Sequence, residues 1–72
     1  MTKHKLLKER IARAMQLLPG DYRTILVLRV EEELSYDEIS RVLHIPRGTV
    51  MSRLARARQK LKQIFGELGV SI

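Results

Sequence analysis

Cysteine and tryptophan are absent from the 72 residues, and the aromatic side chains number only three, Tyr22, Tyr36 and Phe65. Without cysteine there is no disulfide, no thiolate metal site and no thiol chemistry, which fits a reducing compartment. Three scattered aromatics make no stacking platform for single-stranded nucleic acid. Long apolar runs are missing as well: the longest, Ile25–Leu28, falls far short of the roughly 20 residues that cross a bilayer. Lys3 and Lys5 lead into no signal-peptide core. The chain therefore reads as soluble, untargeted and cytoplasmic, with no membrane partner. His4 and His44 stand forty positions apart with no ligand cluster around them, so no metal site is expected. There is no glycine-rich phosphate loop, no paired acid and base and no nucleophile arrangement, and 72 residues leave little room for a closed site. We expect no catalytic residues, no cofactor and no small-molecule substrate: the chain reads as not an enzyme.

What is present is positive charge. Fourteen lysines and arginines against eight acids give a formal charge of +6 and a pI near 10.3, pointing to a polyanionic partner. The charge is organised in blocks: seven basic and two acidic residues in 1–30, one and five in 31–45, six and one in 46–72. At this length a single small domain is expected, spanning residues 1–72, with 44% hydrophobic residues to build its core.

The apolar spacing predicts four helices. Over 3–18, Leu7, Ile11, Ala14, Met15 and Leu18 recur at steps of three and four, until Pro19-Gly20 ends the pattern. Asp21 offers a side-chain cap for a second helix over 21–31, whose Tyr22, Ile25, Leu26, Leu28 and Val30 are apolar on more than one face; it should be the most buried. Glu31-Glu32-Glu33 reads as a solvated break, or as an acidic surface that repels misplaced DNA or meets a basic partner. Ser35-Tyr36-Asp37-Glu38 has the spacing of a capping box and opens a third helix over 35–43, with Ile39, Val42 and Leu43 on its apolar face. Asp37 and Glu38 in that first turn favour the helix dipole and need no catalytic explanation. Pro46 disfavours helical geometry at Ile45, and a fourth helix runs over 47–65, where Gly66 can end it. Leu68, Val70 and Ile72 form an apolar tail.

A short capped helix, a three-residue turn and a longer basic helix form the layout of a helix-turn-helix over 35–65, within an all-α four-helix domain that lacks a wing. At about 100° per residue, Val50, Leu54, Ala57, Leu61 and Ile64 fall within roughly 40° of one another, and Ser52, Ala55, Arg56 and Gln59 lie near the opposite side, joined by Gly48 and Thr49 at the helix start. The short side chains let the helix sink into a major groove, and Arg56 and Gln59 carry forked donors suited to guanine or adenine edges. Free amides at Gly48 and Thr49 suit a phosphate. Arg47, Arg53, Arg58, Lys60 and Lys62 flank this face and can meet phosphates or the acidic segment before it; Arg58 suits a carboxylate such as Glu38 as well as it suits a phosphate.

From Leu18 to Leu61 the chain resembles region four of bacterial RNA polymerase sigma factors, in particular the extracytoplasmic-function group. The resemblance is carried by the LP start at Leu18-Pro19, by LSYDEI at Leu34–Ile39 and by GTVMSRLARAR at Gly48–Arg58. It implies double-stranded promoter DNA as partner, through the minus-thirty-five element. It also implies core RNA polymerase, whose flap meets the earlier helices, and an anti-sigma protein as a further partner. Base-edge or groove contacts are implied for Arg47, Thr49, Met51, Ser52, Ala55 and Arg56, and phosphate contacts for Arg23, Tyr36, Gly48, Arg53 and Arg58. Three positions depart from the family pattern: Met51 stands where lysine or arginine is frequent, Ser40 where alanine is frequent, and His44 where glycine is common; histidine tolerates positive φ, so the turn should survive. The resemblance further implies an earlier module that melts DNA and reads the minus-ten element, and these 72 residues correspond to the later module, as an excised domain or standing alone.

Two other functions share the four-helix layout. One is the effector domain of a transcriptional regulator, which would dimerise on paired half-sites. The other is a protein-interaction module using apolar surface at Leu6, Leu17, Val27 or the Leu68–Ile72 tail.

Overall fold

A computed structural model describes residues 3–69, with side chains from Lys5 onward. It contains four helices, α1 (Lys3–Leu17), α2 (Gly20–Val30), α3 (Tyr36–Leu43) and α4 (Arg47–Glu67), and no strand among the described residues. The domain is all-α. Val70 and Ile72 of the expected tail lie outside the described residues.

Each helix boundary has a local cause. Pro19, with φ −51°, occupies the N-cap of α2, and its carbonyl accepts from the amides of Tyr22 and Arg23 at 3.0 Å each. The expectation of an Asp21 side-chain cap is thus corrected: the fixed φ of proline starts the helix one residue earlier, leaving Asp21 inside the first turn, where its charge still favours the dipole. The capping box of α3 is complete. The Ser35 hydroxyl accepts from the Glu38 amide at 3.1 Å, and the Glu38 carboxylate accepts from the Ser35 amide at 2.9 Å. His44 ends α3 in the left-handed region, φ 55° and ψ 46°, as the turn requires. Ser40 departs from alanine for a visible reason: its hydroxyl donates to the Ile45 carbonyl and ties the turn to α3. At the other end, Gly66 does not stop α4. The helix continues to Glu67, and the left-handed residue is Gly69 at φ 74°, because Gly66 keeps helical geometry within its own last turn.

The core consists of Ala14, Leu18, Ile25, Leu26, Ile39, Val50, Leu54, Ala57, Ile64 and Phe65. α4 packs against each of the other three helices and supplies half of these residues, so the expectation that α2 is the most buried is overturned. The long amphipathic helix is the spine, and α2 buries only Ile25 and Leu26 against it; Val30 is 65% exposed. Two further expectations fail for the same geometric reason. Leu7 and Ile11 are 45% and 40% exposed because only Ala14 in the C-terminal part of α1, and Leu18 just beyond its end, are buried in the core. Val42 is 54% exposed because α3 turns Ile39 inward, leaving Leu43 half-buried.

Candidate nucleic-acid interface

The outward face of α4 begins at a bare helix end. Pro46 holds the N-cap position in extended geometry, φ −61° and ψ 150°, no side chain caps the end, and no acidic residue stands in the first turn. The Thr49 amide is taken by the Pro46 carbonyl at 3.0 Å, which corrects its expected role as a free donor; the opening of the helix tightens onto Pro46. Gly48 is exposed, and nothing lies within 4 Å of where a side chain would start, so its backbone can be approached closely.

Beyond that end, Met51, Ser52, Ala55, Arg56 and Gln59 are all exposed, with Met51 at 52%. Thr49 and Arg53 are half-buried at the margin. The Ser52 hydroxyl donates back to the Thr49 carbonyl at 3.2 Å, leaving its lone pairs toward solvent. The inward side of the same helix is closed by Val50, Leu54 and Ala57, each fully buried. One helix thus divides between packing and an outward strip of small side chains flanked by arginines.

At the N-terminal margin of this strip, three helices contribute to one cluster. Tyr36, half-buried at the start of α3, carries the Arg47 guanidinium 5.9 Å from its ring centroid and that of Arg29 at 5.4 Å. Arg29 also donates to the Leu34 carbonyl at 3.2 Å, and the Leu34 amide donates to the Leu28 carbonyl at 3.1 Å, so the loop folds back over the end of α2. Arg47 Nε lies 3.5 Å from Asp37 Oδ1. Arg29, Tyr36 and Arg47 line an open recess of about 300 Å³ with Glu33, Ser35 and Glu38. The Glu31–Glu33 run is exposed, as a solvated break should be, but it has fixed geometry: Glu33 holds φ 55°, a left-handed conformation unusual for a residue with a Cβ.

The sequence-derived residues thus divide into groups. Gly48, Met51, Ser52, Ala55, Arg56 and Gln59 share the outward face of α4, and Tyr36 and Arg47 meet across the turn. Arg23 is exposed on α2 and stands outside the recess. Arg58 is exposed and does not pair with Glu38, whose carboxylate is turned back onto the Ser35 amide. That bond, followed by the Ser35 hydroxyl, holds the Glu38 carboxyl below its ordinary value of 4.5. Arg29 is the residue that sequence reasoning missed. It sits in α2 with nothing in its local pattern to single it out, and only the path of the 31–35 loop brings it to Tyr36.

A second surface is apolar. Ile11, Met15, Leu26, Val27, Val30, Glu31 and Leu61 line an apolar groove of about 190 Å³ between α1, α2 and α4. No helix among the described residues is long and apolar enough to cross a membrane.

The sequence matches the family model for Sigma-70, region 4 over residues 8–61. It is 45% identical over 51 residues to the ECF RNA polymerase sigma factor SigW of Bacillus subtilis, a match covering 71% of this chain and 27% of that protein. It is 44% identical over 58 residues to the RNA polymerase sigma-H factor of Pseudomonas aeruginosa, covering 81% and 30%. With the ECF RNA polymerase sigma-E factor of Escherichia coli it shares 40% identity over 55 residues, covering 76% and 29%. The chain spans less than a third of the length of these curated relatives. A four-helix domain with a capped α3, a left-handed turn and an exposed α4 face, matched to that family over three-quarters of its length, belongs to the sigma-70 region 4 family.

Proposed function

We propose that the chain, acting as one domain over residues 1–72, recognises the minus-thirty-five promoter element as the region-four module of an extracytoplasmic-function-type sigma factor and so directs RNA polymerase to start transcription. The observation that carries this reading is the outward face of α4, where small exposed side chains at Gly48, Ser52 and Ala55 lie between Arg47 and Arg56 on a helix whose opposite face packs into the core through Val50, Leu54 and Ala57. Such a helix can enter a major groove without unpacking the domain. Arg47, Thr49, Met51, Ser52, Ala55, Arg56 and Gln59 face base edges or the groove wall. Arg23, Tyr36, Gly48, Arg53 and Arg58 meet phosphates, and Arg29, beside Tyr36, joins them.

The partners follow the two surfaces. Promoter DNA meets α4 and the Tyr36 cluster. The core polymerase, through its flap, meets α1 and α2, where the apolar groove and the exposed Leu7 and Val30 leave surface for a protein. An anti-sigma protein would compete for these same faces. The module acts in the cytoplasm by binding, and is neither an enzyme nor a cofactor carrier.

Base and backbone contacts leave different signatures. Arg56→Ala should relax sequence preference, with a loss of about 1–3 kcal/mol on the preferred duplex and little on a scrambled one. Arg53→Ala should weaken all duplexes alike and reduce the salt slope by about one. Fluorescence anisotropy across a salt series reads both, and equal losses from the two variants on both duplexes would refute the assignment. Amide NMR places the contacts: shifts within 47–59 on the preferred duplex support a promoter reader. Their absence from an intact fold would favour a module that binds proteins alone. A complex of two chains on paired half-sites would favour a regulator domain.

A further inference from the structure

One side chain on the outward strip of α4 is out of keeping with a solvated surface. Met51 is 52% exposed, the one large apolar side chain of α4 left exposed among the described residues. The helix's other large apolar residues, Val50, Leu54, Ile64 and Phe65, are buried, and Leu61 is half-buried. Met51 takes no part in the core cluster and lies apart from the apolar groove, on the strip it shares with Gly48, Ser52 and Ala55. A helical side chain leans toward the helix N-terminus, which here is the turn holding Gly48. Nothing lies within 4 Å of where a Gly48 side chain would start, and Arg47 in the same turn is engaged by Tyr36 and Asp37. The thioether is therefore offered at the end of the helix that a groove would receive first.

We propose that Met51 is a specificity-determining residue that reads thymine through its 5-methyl group. This rests on the reading of α4 as the DNA-entering helix. Base edges in the major groove present hydrogen-bonding atoms and a single apolar group, the C5 methyl of thymine. A thioether has no donor and only a weak acceptor, so it gains nothing from a phosphate and little from the other base edges. Against a methyl it gains burial on both sides, and its unbranched, flexible chain settles on that methyl once phosphate contacts have set the register. The contact discriminates between sequences, because only a duplex with thymine at that position supplies the group. Arg56 addresses purine acceptors on the same strip, so the two residues answer to different base chemistry. Burying one methyl changes an equilibrium constant by about a factor of four, which sets the size of the effect.

The test uses the whole 72-residue chain and the duplex it enriches from a random pool, with each thymine replaced in turn by deoxyuridine, which lacks only the methyl. One replacement should weaken binding about three- to fivefold, and the others by less than about twofold. A contact without charge should keep the same factor from low to high salt. In Met51→Ala, the enriched duplex and its sensitive deoxyuridine form should bind alike, since the methyl has lost its partner. Met51→Lys should bind every duplex more tightly, steepen the salt slope by about one, and likewise lose the methyl dependence. Met51 lies outside the core, so both variants should melt with the parent chain. An enriched duplex in which no thymine is sensitive to loss of its methyl, or a sensitivity undiminished in Met51→Ala, would overturn the proposal while leaving the DNA-binding reading intact. Failure of the parent chain to enrich any duplex would overturn both.

Discussion

α3 is anchored by one fully buried side chain, with Tyr36 and Leu43 half-buried beside it, and that makes a quantitative prediction. Ile39 is the single fully buried residue of this eight-residue helix, whereas Val42, three positions along, is 54% exposed. Replacing Ile39 with alanine removes three buried carbons, a transfer loss of about 2.5 kcal/mol at roughly 0.8 kcal/mol each. Incomplete collapse of the space left behind adds to this and places Ile39→Ala at about 3–4 kcal/mol. The domain has 72 residues, and at 0.05–0.15 kcal/mol per residue its whole stability is about 4–11 kcal/mol, so this one change removes a large share of it. The melting temperature should fall by about 12–30 °C. Val42→Ala behaves differently. Half-exposed, it loses at most about 0.8 kcal/mol of burial, and alanine's better helix propensity returns about 0.6, so the net change stays within about 0.5 kcal/mol. Urea titration followed by far-ultraviolet circular dichroism measures both. A loss below about 1 kcal/mol for Ile39→Ala, or a Val42→Ala loss of equal size, would mean that α3 packs with another face and that the helix-turn-helix described above is wrongly oriented.

The capping box should be worth about 1 kcal/mol, so Ser35→Ala lowers the urea midpoint and Ser35→Thr restores most of it. Its partner gives a pH signature. Because the Glu38 carboxyl is held below 4.5 in the folded domain, its contribution to stability is complete above that value and is lost as pH falls through the lowered one; a urea midpoint series from pH 6 to 3 should show the decline, and Glu38→Gln should flatten it. His44 occupies the left-handed region, where a side chain costs about 1–2 kcal/mol and glycine's greater freedom in the unfolded chain cancels part of the relief. His44→Gly should therefore raise stability by about 0.5–1 kcal/mol, and an unchanged or lower urea midpoint would contradict the turn geometry.

Local signals in the sequence determined the helices and the dual character of the fourth. Capping chemistry at Ser35 and Glu38 acts within four residues, each proline cannot continue the segment before it and stands at the N-cap of the next helix, and the alternation of Val50, Leu54, Ala57, Leu61 and Ile64 with Ser52, Ala55, Arg56 and Gln59 places the two faces by helical period alone. The outward-facing residues follow, since a helix that buries one face must present the other. What only the tertiary structure decided is which apolar positions find a partner and which charges meet. Leu7, Ile11 and Val42 satisfy the same periodicity as Ala14, Leu18 and Ile39, yet they stay exposed, because a domain this small has one spine, α4, and no second layer to cover the remainder. The assembly of Arg29, Tyr36, Asp37 and Arg47 depends on the path of the 31–35 loop, fastened through Leu34 to the end of α2. No periodicity encodes that path: side chains from three helices converge there only after the core has packed.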